Sequence, residues 1–187
     1  NTPGITAERE AIARVGGEMK YTSDVKLSTT EIIEYIKHEL DRKEILVVLD
    51  RDGTLIHNND FLGREENWKE ELRLQEAVAD YLAYLQTKYK LTKVVVTNQG
   101  GVARGYFDCA RVEEIHQTIA GLLRKKGVEI DNWQYCPDVD AAYAESKKNE
   151  LTFVPDFVKG KTKRKPSAEM VLDALGELHT DLSCFES

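Results

Sequence analysis

The residues of this chain best suited to chemistry are two carboxylates. In Ile45-Leu46-Val47-Val48-Leu49-Asp50-Arg51-Asp52-Gly53-Thr54, an apolar run ends in Asp50 and Asp52, and a glycine and a hydroxyl follow. Side chains two apart on an extended segment point the same way, so both acids are expected to project from one strand end. Open α/β sheets bind ligands at that end. Asp-Gly is also a short hairpin signal, with Thr54-Leu55-Ile56 as a returning strand. The early glycine does not suit a calcium-binding EF-hand loop.

A second candidate is Thr97-Asn98-Gln99-Gly100-Gly101, again at the end of a buried run. A hydroxyl and free backbone N–H groups in a glycine-rich turn can hold phosphate oxygens, although Asn and Gly also favour plain turns. The third is Lys159-Gly160-Lys161-Thr162-Lys163-Arg164-Lys165-Pro166, with five cations in seven positions. Such a run is often a solvated loop or a nucleic-acid tail. Here it leads toward a helix start, where Lys165 would lie near a positive helix terminus and could neutralise a phosphoryl group.

These residues need strands and helices to hold them. Ile45 to Asp50 and Lys93 to Thr97 lack polar alternation and read as buried parallel strands. Val128 to Cys136 is expected to hold a third, ended by Pro137-Asp138. Leu74, Val78, Tyr81, Leu82 and Leu85 mark one amphipathic helix, and Val112, Ile115, Ile119 and Leu122 a second, with Gly127 at its C′ position. Pro166 is expected in the first turn of a last helix, whose buried face carries Val171, Leu172, Leu175 and Leu178. His57 to Trp68 reads as a loop or small flap, and Glu145 to Glu150 as a solvated loop or a short helix end. Residues 1–44 read as a helical extension with a capping box at Ser28-Thr29-Thr30-Glu31, and residues 45–187 as the main domain. Strands alternating with helices imply an α/β, Rossmann-like parallel sheet covered on both faces.

The formal charge of −7 argues against nonspecific nucleic-acid binding through overall charge. No apolar run is long enough for a membrane span, and no secretory signal opens the chain, so the cytoplasm is the expected compartment. Cys109, Cys136 and Cys184 form no zinc pattern and no disulfide framework.

The order of the three elements resembles the haloacid dehalogenase superfamily of phosphohydrolases. The resemblance runs from Ile45 to about Leu178. It is most specific at Leu49 to Thr54, at Thr97 to Phe107 (Thr-Asn-Gln-Gly-Gly-Val-Ala-Arg-Gly-Tyr-Phe), at Tyr135-Cys136-Pro137 and at Arg164-Lys165-Pro166. The set looks like the histidinol-phosphatase and heptose-bisphosphate-phosphatase branch. The resemblance implies Asp50 as nucleophile and Asp52 as general acid and then base. It implies Thr97 and Lys165 as phosphate ligands, Asn98 as a group that positions substrate or phosphate, and Mg²⁺ held by Asp50 and Asp52. Arg104 and Arg164 are candidates for the rest of the substrate, a small phosphorylated metabolite such as a sugar phosphate or histidinol phosphate. Since 47 positions separate Asp50 from Thr97 and 68 separate Thr97 from Lys165, no large cap domain is expected.

Two features depart from the pattern. Members of this branch often carry a zinc loop after Cys-Pro, whereas no Cys or His lies between Cys136 and Lys165, so no structural zinc is expected. The acidic pair of the family's fourth motif is also not found; Asp173 falls in the last helix and Asp181 at or beyond its end. A C-terminally shortened domain is the expectation, with a metal site short of ligands. Two alternatives follow: a polynucleotide 3′-phosphatase domain, or a non-catalytic domain that binds or regulates.

Overall fold

The computed structural model describes residues 44–57, 60–180, 182 and 185. The expected extension, apart from Glu44, lies outside the described residues, as do Asp181 and Cys184.

The apolar runs form three parallel strands, β1 (Ile45–Leu49), β2 (Leu91–Asn98) and β3 (Asn132–Cys136), in the order β1-β2-β3. The register sets Leu49 against Val95 and Asn98 against Cys136, so the strand ends that carry chemistry lie side by side. The helices are α1 (Trp68–Glu71), α2 (Glu76–Gln86), α3 (Cys109–Lys125), α4 (Ala141–Lys147) and α5 (Glu169–Glu177).

The pleat of β2 sends alternate valines to opposite faces. Val95 packs against Ala79 and Leu82 of α2 and against Ile115, Ile119 and Leu123 of α3. Val94 and Val96 pack with Cys136 against Met170 and Ala174 of α5. A fully buried aliphatic side chain of this kind contributes about 1.5–3 kcal/mol. Both faces are therefore covered by helices, as the sequence implies. A short parallel pair, β4 (Val139–Asp140) and β5 (Val158–Lys159), builds a third small core around Ala103, Val139 and Ala144.

One expectation needs correction, and two resolve within the bounds given. Within the expected span from Val128 to Cys136, the third strand starts at Asn132, because the Val128 N–H bonds the Leu123 carbonyl at 3.0 Å and closes the end of α3. Gly127, at φ +76°, does take the C′ position. Glu145 to Lys147 is the end of helix α4, one of the two forms expected for that stretch, and the helix start is capped by Asp140 Oδ1 accepting the Tyr143 N–H at 2.7 Å. Pro166 is not in a first helical turn: α5 begins at Glu169, and Pro166 follows a cis peptide bond from Lys165.

Candidate active site

The chain leaves β1 through a turn rather than a hairpin. The Arg51 carbonyl accepts from the N–H groups of Leu55 (3.0 Å) and Ile56 (3.1 Å), and Gly53 takes φ +80°. A left-handed residue at this position favours glycine. Ile56 makes isolated bridges, parallel to Asp52 and antiparallel to Leu74, in place of a returning strand.

Asp50 lies just past β1, with 44% of its side chain exposed. Its Oδ1 accepts the Arg51 N–H at 2.7 Å, and its Oδ2 meets Lys165 Nζ at 2.7 Å. Lys165 Nζ also donates to the Val96 carbonyl at 3.1 Å. The lysine backbone is bracketed by one side chain: Asn98 Oδ1 accepts the Lys165 N–H at 2.9 Å, and Asn98 Nδ2 donates to the Lys165 carbonyl at 3.4 Å. Asn98 thus docks the basic loop onto the end of β2. Asn98 is expected to position substrate or phosphate; in the structure its amide engages the Lys165 backbone.

Asp52 faces a different set of partners. Arg51, 1% exposed, presents its guanidinium fork to Asp52, with Nε 3.2 Å from both oxygens and Nη2 3.1 Å from Oδ1. Gln99 Nε2 donates to Asp52 Oδ2 at 2.9 Å and to Thr97 Oγ1 at 2.8 Å. The Thr97 hydroxyl, in a residue 1% exposed, reaches Asp52 Oδ2 at 3.4 Å. Thr97 is therefore engaged with Asp52 and Gln99 inside the protein.

A cleft of about 230 Å³ opens beside these groups, lined among others by Asp52, Phe61, Asn98, Gly100 and Gly101. Arg104 and Arg164 converge at its glycine turn. A Cβ built on Gly100 would lie 2.8 Å from Arg104 Nη1 and 3.1 Å from Arg164 Nη1. Arg104 donates to the Gly100 carbonyl at 2.9 Å and to the Tyr143 hydroxyl at 2.8 Å, and its guanidinium stands 5.1 Å from the Phe61 ring centre. Arg164 Nη1 is buried without a hydrogen-bond partner among the described residues. Two guanidinium groups beside the cleft suit an anion.

Behind Arg51 lies His116 of α3, 4% exposed, with its ring 4.8 Å from that of Trp133. Burial, and then the charge of Arg51, push its pKa down to about 3, so the ring is neutral at physiological pH. Neither ring nitrogen has a hydrogen-bond partner among the described residues.

Mg²⁺ usually keeps several waters and binds through one or two carboxylates together with substrate phosphate. The half-exposed carboxylate of Asp50 suits that donor set, and the backbone oxygen of Asp52 is of the same hard type. Among the described residues, no group of three His, Cys, Asp or Glu gathers as a metal site. Cys136 is a core residue, and burial raises its pKa, which disfavours the thiolate that zinc requires.

The sequence motif contains Gln99 without indicating a role for it, and Arg51 stands between two acids with no role indicated. The signal for both was a charged side chain and an amide at the tips of otherwise apolar runs, where burial forces a partner.

No family model matches the chain. The D-glycero-β-D-manno-heptose-1,7-bisphosphate 7-phosphatase of Neisseria meningitidis is 30% identical over 134 residues, which cover 71% of this chain and 69% of that protein. The Escherichia coli enzyme of the same name is 31% identical over 137 residues, covering 73% of this chain and 64% of that one. The crystal structure of a D,D-heptose 1,7-bisphosphate phosphatase from B. bronchiseptica, complexed with magnesium and phosphate, superposes with a TM-score of 0.52 at 28% identity. It is matched over 73% of this chain and 65% of its own. A protein from Mesorhizobium loti described as a HAD-like phosphatase gives a TM-score of 0.57 at 26% identity, over 75% of this chain and 60% of its own. The fold and the relatives define a phosphatase domain of the α/β type. The chain belongs to the haloacid dehalogenase superfamily, in its heptose-bisphosphate phosphatase branch.

Proposed function

We propose that the chain hydrolyses the phosphate monoester of a small polar metabolite, a sugar phosphate, through an aspartyl-phosphate on Asp50 with the help of Mg²⁺. The observation that carries this is the Lys165 ammonium 2.7 Å from the half-exposed Asp50 carboxylate at the end of β1. A carboxylate approaches an anionic phosphoryl group only where cations offset the repulsion.

In this reading Asp50 attacks phosphorus and the ester P–O bond breaks. Asp52 gives its proton to the departing oxygen, which leaves as an alcohol. Water then attacks the phosphorus of the aspartyl-phosphate and yields its proton to Asp52, while Asp50 is freed and inorganic phosphate leaves. Lys165, fixed by Asn98 and the Val96 carbonyl, stabilises the phosphoryl oxygens. Arg104 and Arg164 hold the rest of the substrate at Gly100. A bound Mg²⁺ would be held by Asp50 and Asp52, and would supply further positive charge to the phosphoryl oxygens.

No helix among the described residues is long and apolar enough to cross a membrane. The free thiols of Cys109 and Cys136 suit a reducing cytoplasm.

The test is phosphate release from a panel of sugar phosphates and other small phosphate esters, with and without Mg²⁺. Release from a sugar phosphate that requires Mg²⁺ is expected. No release from any ester under either condition would favour a non-catalytic binding domain.

A further inference from the structure

Asp52 is held entirely from the protein side, and its two oxygens are held unequally. Oδ2 accepts from Gln99 Nε2 at 2.9 Å, from Thr97 Oγ1 at 3.4 Å and from the Arg51 fork at 3.1 Å. Oδ1, among the described residues, accepts from the Arg51 fork alone.

The Gln99 amide is itself fixed. Its Oε1 accepts Arg51 Nη2 at 2.8 Å, in a residue only 4% exposed. If the amide were turned over, its NH₂ would face a guanidinium, which is permanently charged and only donates, and its oxygen would face a carboxylate. Arg51 therefore dictates which way Gln99 points, and Gln99 in turn presents a donor to Asp52. The three side chains close a ring, Arg51 to Gln99, Gln99 to Asp52, and Arg51 to Asp52. An aspartate carboxylate otherwise turns over a broad torsional range. A general acid must aim one oxygen at the leaving group, and a misplacement of an ångström costs orders of magnitude in rate.

We infer that Gln99 is a positioning residue: locked by Arg51, it anchors Oδ2 of Asp52 and leaves Oδ1 as the oxygen that carries the proton to the leaving group. The inference rests on the reading of Asp52 as general acid and base. Thr97 is the third point of the same anchor.

The test uses Gln99→Met, which keeps the length but makes no hydrogen bond, and Gln99→Glu, which keeps an acceptor for Arg51 but sets an oxygen against Asp52. Both are assayed in the full chain with Mg²⁺ on p-nitrophenyl phosphate, whose leaving group needs little protonation, and on β-glycerophosphate, whose leaving group needs a proton. General acid catalysis is worth about 10²- to 10⁴-fold, so Gln99→Met is expected to lower kcat on β-glycerophosphate by about 30- to 100-fold, on p-nitrophenyl phosphate by at least ten-fold less, and to leave KM within about three-fold. Gln99→Glu is expected to show the same selectivity more strongly.

Asp52→Asn is the reference. If it loses the glycerol ester selectively while the Gln99 variants lose both esters equally, or neither, the inference is overturned and the acid–base reading stands. If Asp52→Asn shows no selectivity, the reading of Asp52 falls and the inference with it. Thermal melts check folding, and if Gln99→Met does not fold, Gln99→Glu decides.

Discussion

The Asp50 carboxylate meets Lys165 on one oxygen and the Arg51 N–H on the other, and this pairing sets what substitutions there should do. Asp50→Asn is expected to abolish phosphate release while the circular dichroism spectrum stays that of the parent, because the half-exposed side chain supports no core. Lys165→Met removes the cation and should lower kcat by about 10²- to 10³-fold, as loss of a preorganised charge at a transition state does. Lys165→Arg should rescue little, since a planar fork replaces a compact charge that reaches both Asp50 and the Val96 carbonyl. His116 gives a prediction in pH. Its folded pKa, near 3, is below the unfolded value near 6.5, so the unfolded chain binds the extra proton between those values and stability falls as pH falls through that window. The His116 contribution is about 1.4 kcal/mol for each pH unit below 6.5, and His116→Phe should lose that slope in urea titrations at pH 6.5 and 5. The acids, Thr97, Asn98 and Lys165 were legible as a cluster because each ends an apolar run or precedes a helix. The Arg51–Gln99–Asp52 ring was not, since which polar neighbours pair depends on side-chain direction past the strand end.

At the scale of elements, hydrophobic period located β1, β2, α2, α3 and α5, because each buries a face wide enough to leave a pattern. It missed the β4–α4–β5 insert: strands of two residues carry no period, and α4 is announced mainly by its Asp140 cap. The start of α5 was misplaced because Pro166 suits a first helical turn as well as the loop it occupies. Two glycines test the packing account in opposite directions. Gly63 has φ +103°, and a Cβ there would stand 2.7 Å from Ile115 Cδ1, so Gly63→Ala is expected to cost about 1–3 kcal/mol. Gly121 lies inside α3 with nothing within 4 Å of its Cβ position, so Gly121→Ala should stabilise by about 0.5–1 kcal/mol. Urea denaturation of the two variants checks both signs.

For the whole molecule, the charge pattern separates two substrates. The basic run looked free in the sequence, but Lys161 pairs with Glu169, Lys163 with Asp173 and Lys165 with Asp50. Partners eight or more positions away cannot be read from a local run. With these lysines neutralised and a net charge of −7, weak binding of a single-stranded oligonucleotide is expected in fluorescence anisotropy. A steep salt-dependent affinity would instead favour a polynucleotide substrate. The central claim, that Asp50 is the group that takes the phosphoryl, has one direct measurement. The protein is mixed with a hydrolysed sugar phosphate and Mg²⁺, quenched in acid, digested and read by tandem mass spectrometry. A phosphoryl group on Asp50 that is absent from Asp50→Asn is the predicted result. A phosphoryl group on another residue, or continued hydrolysis by Asp50→Asn, would contradict it.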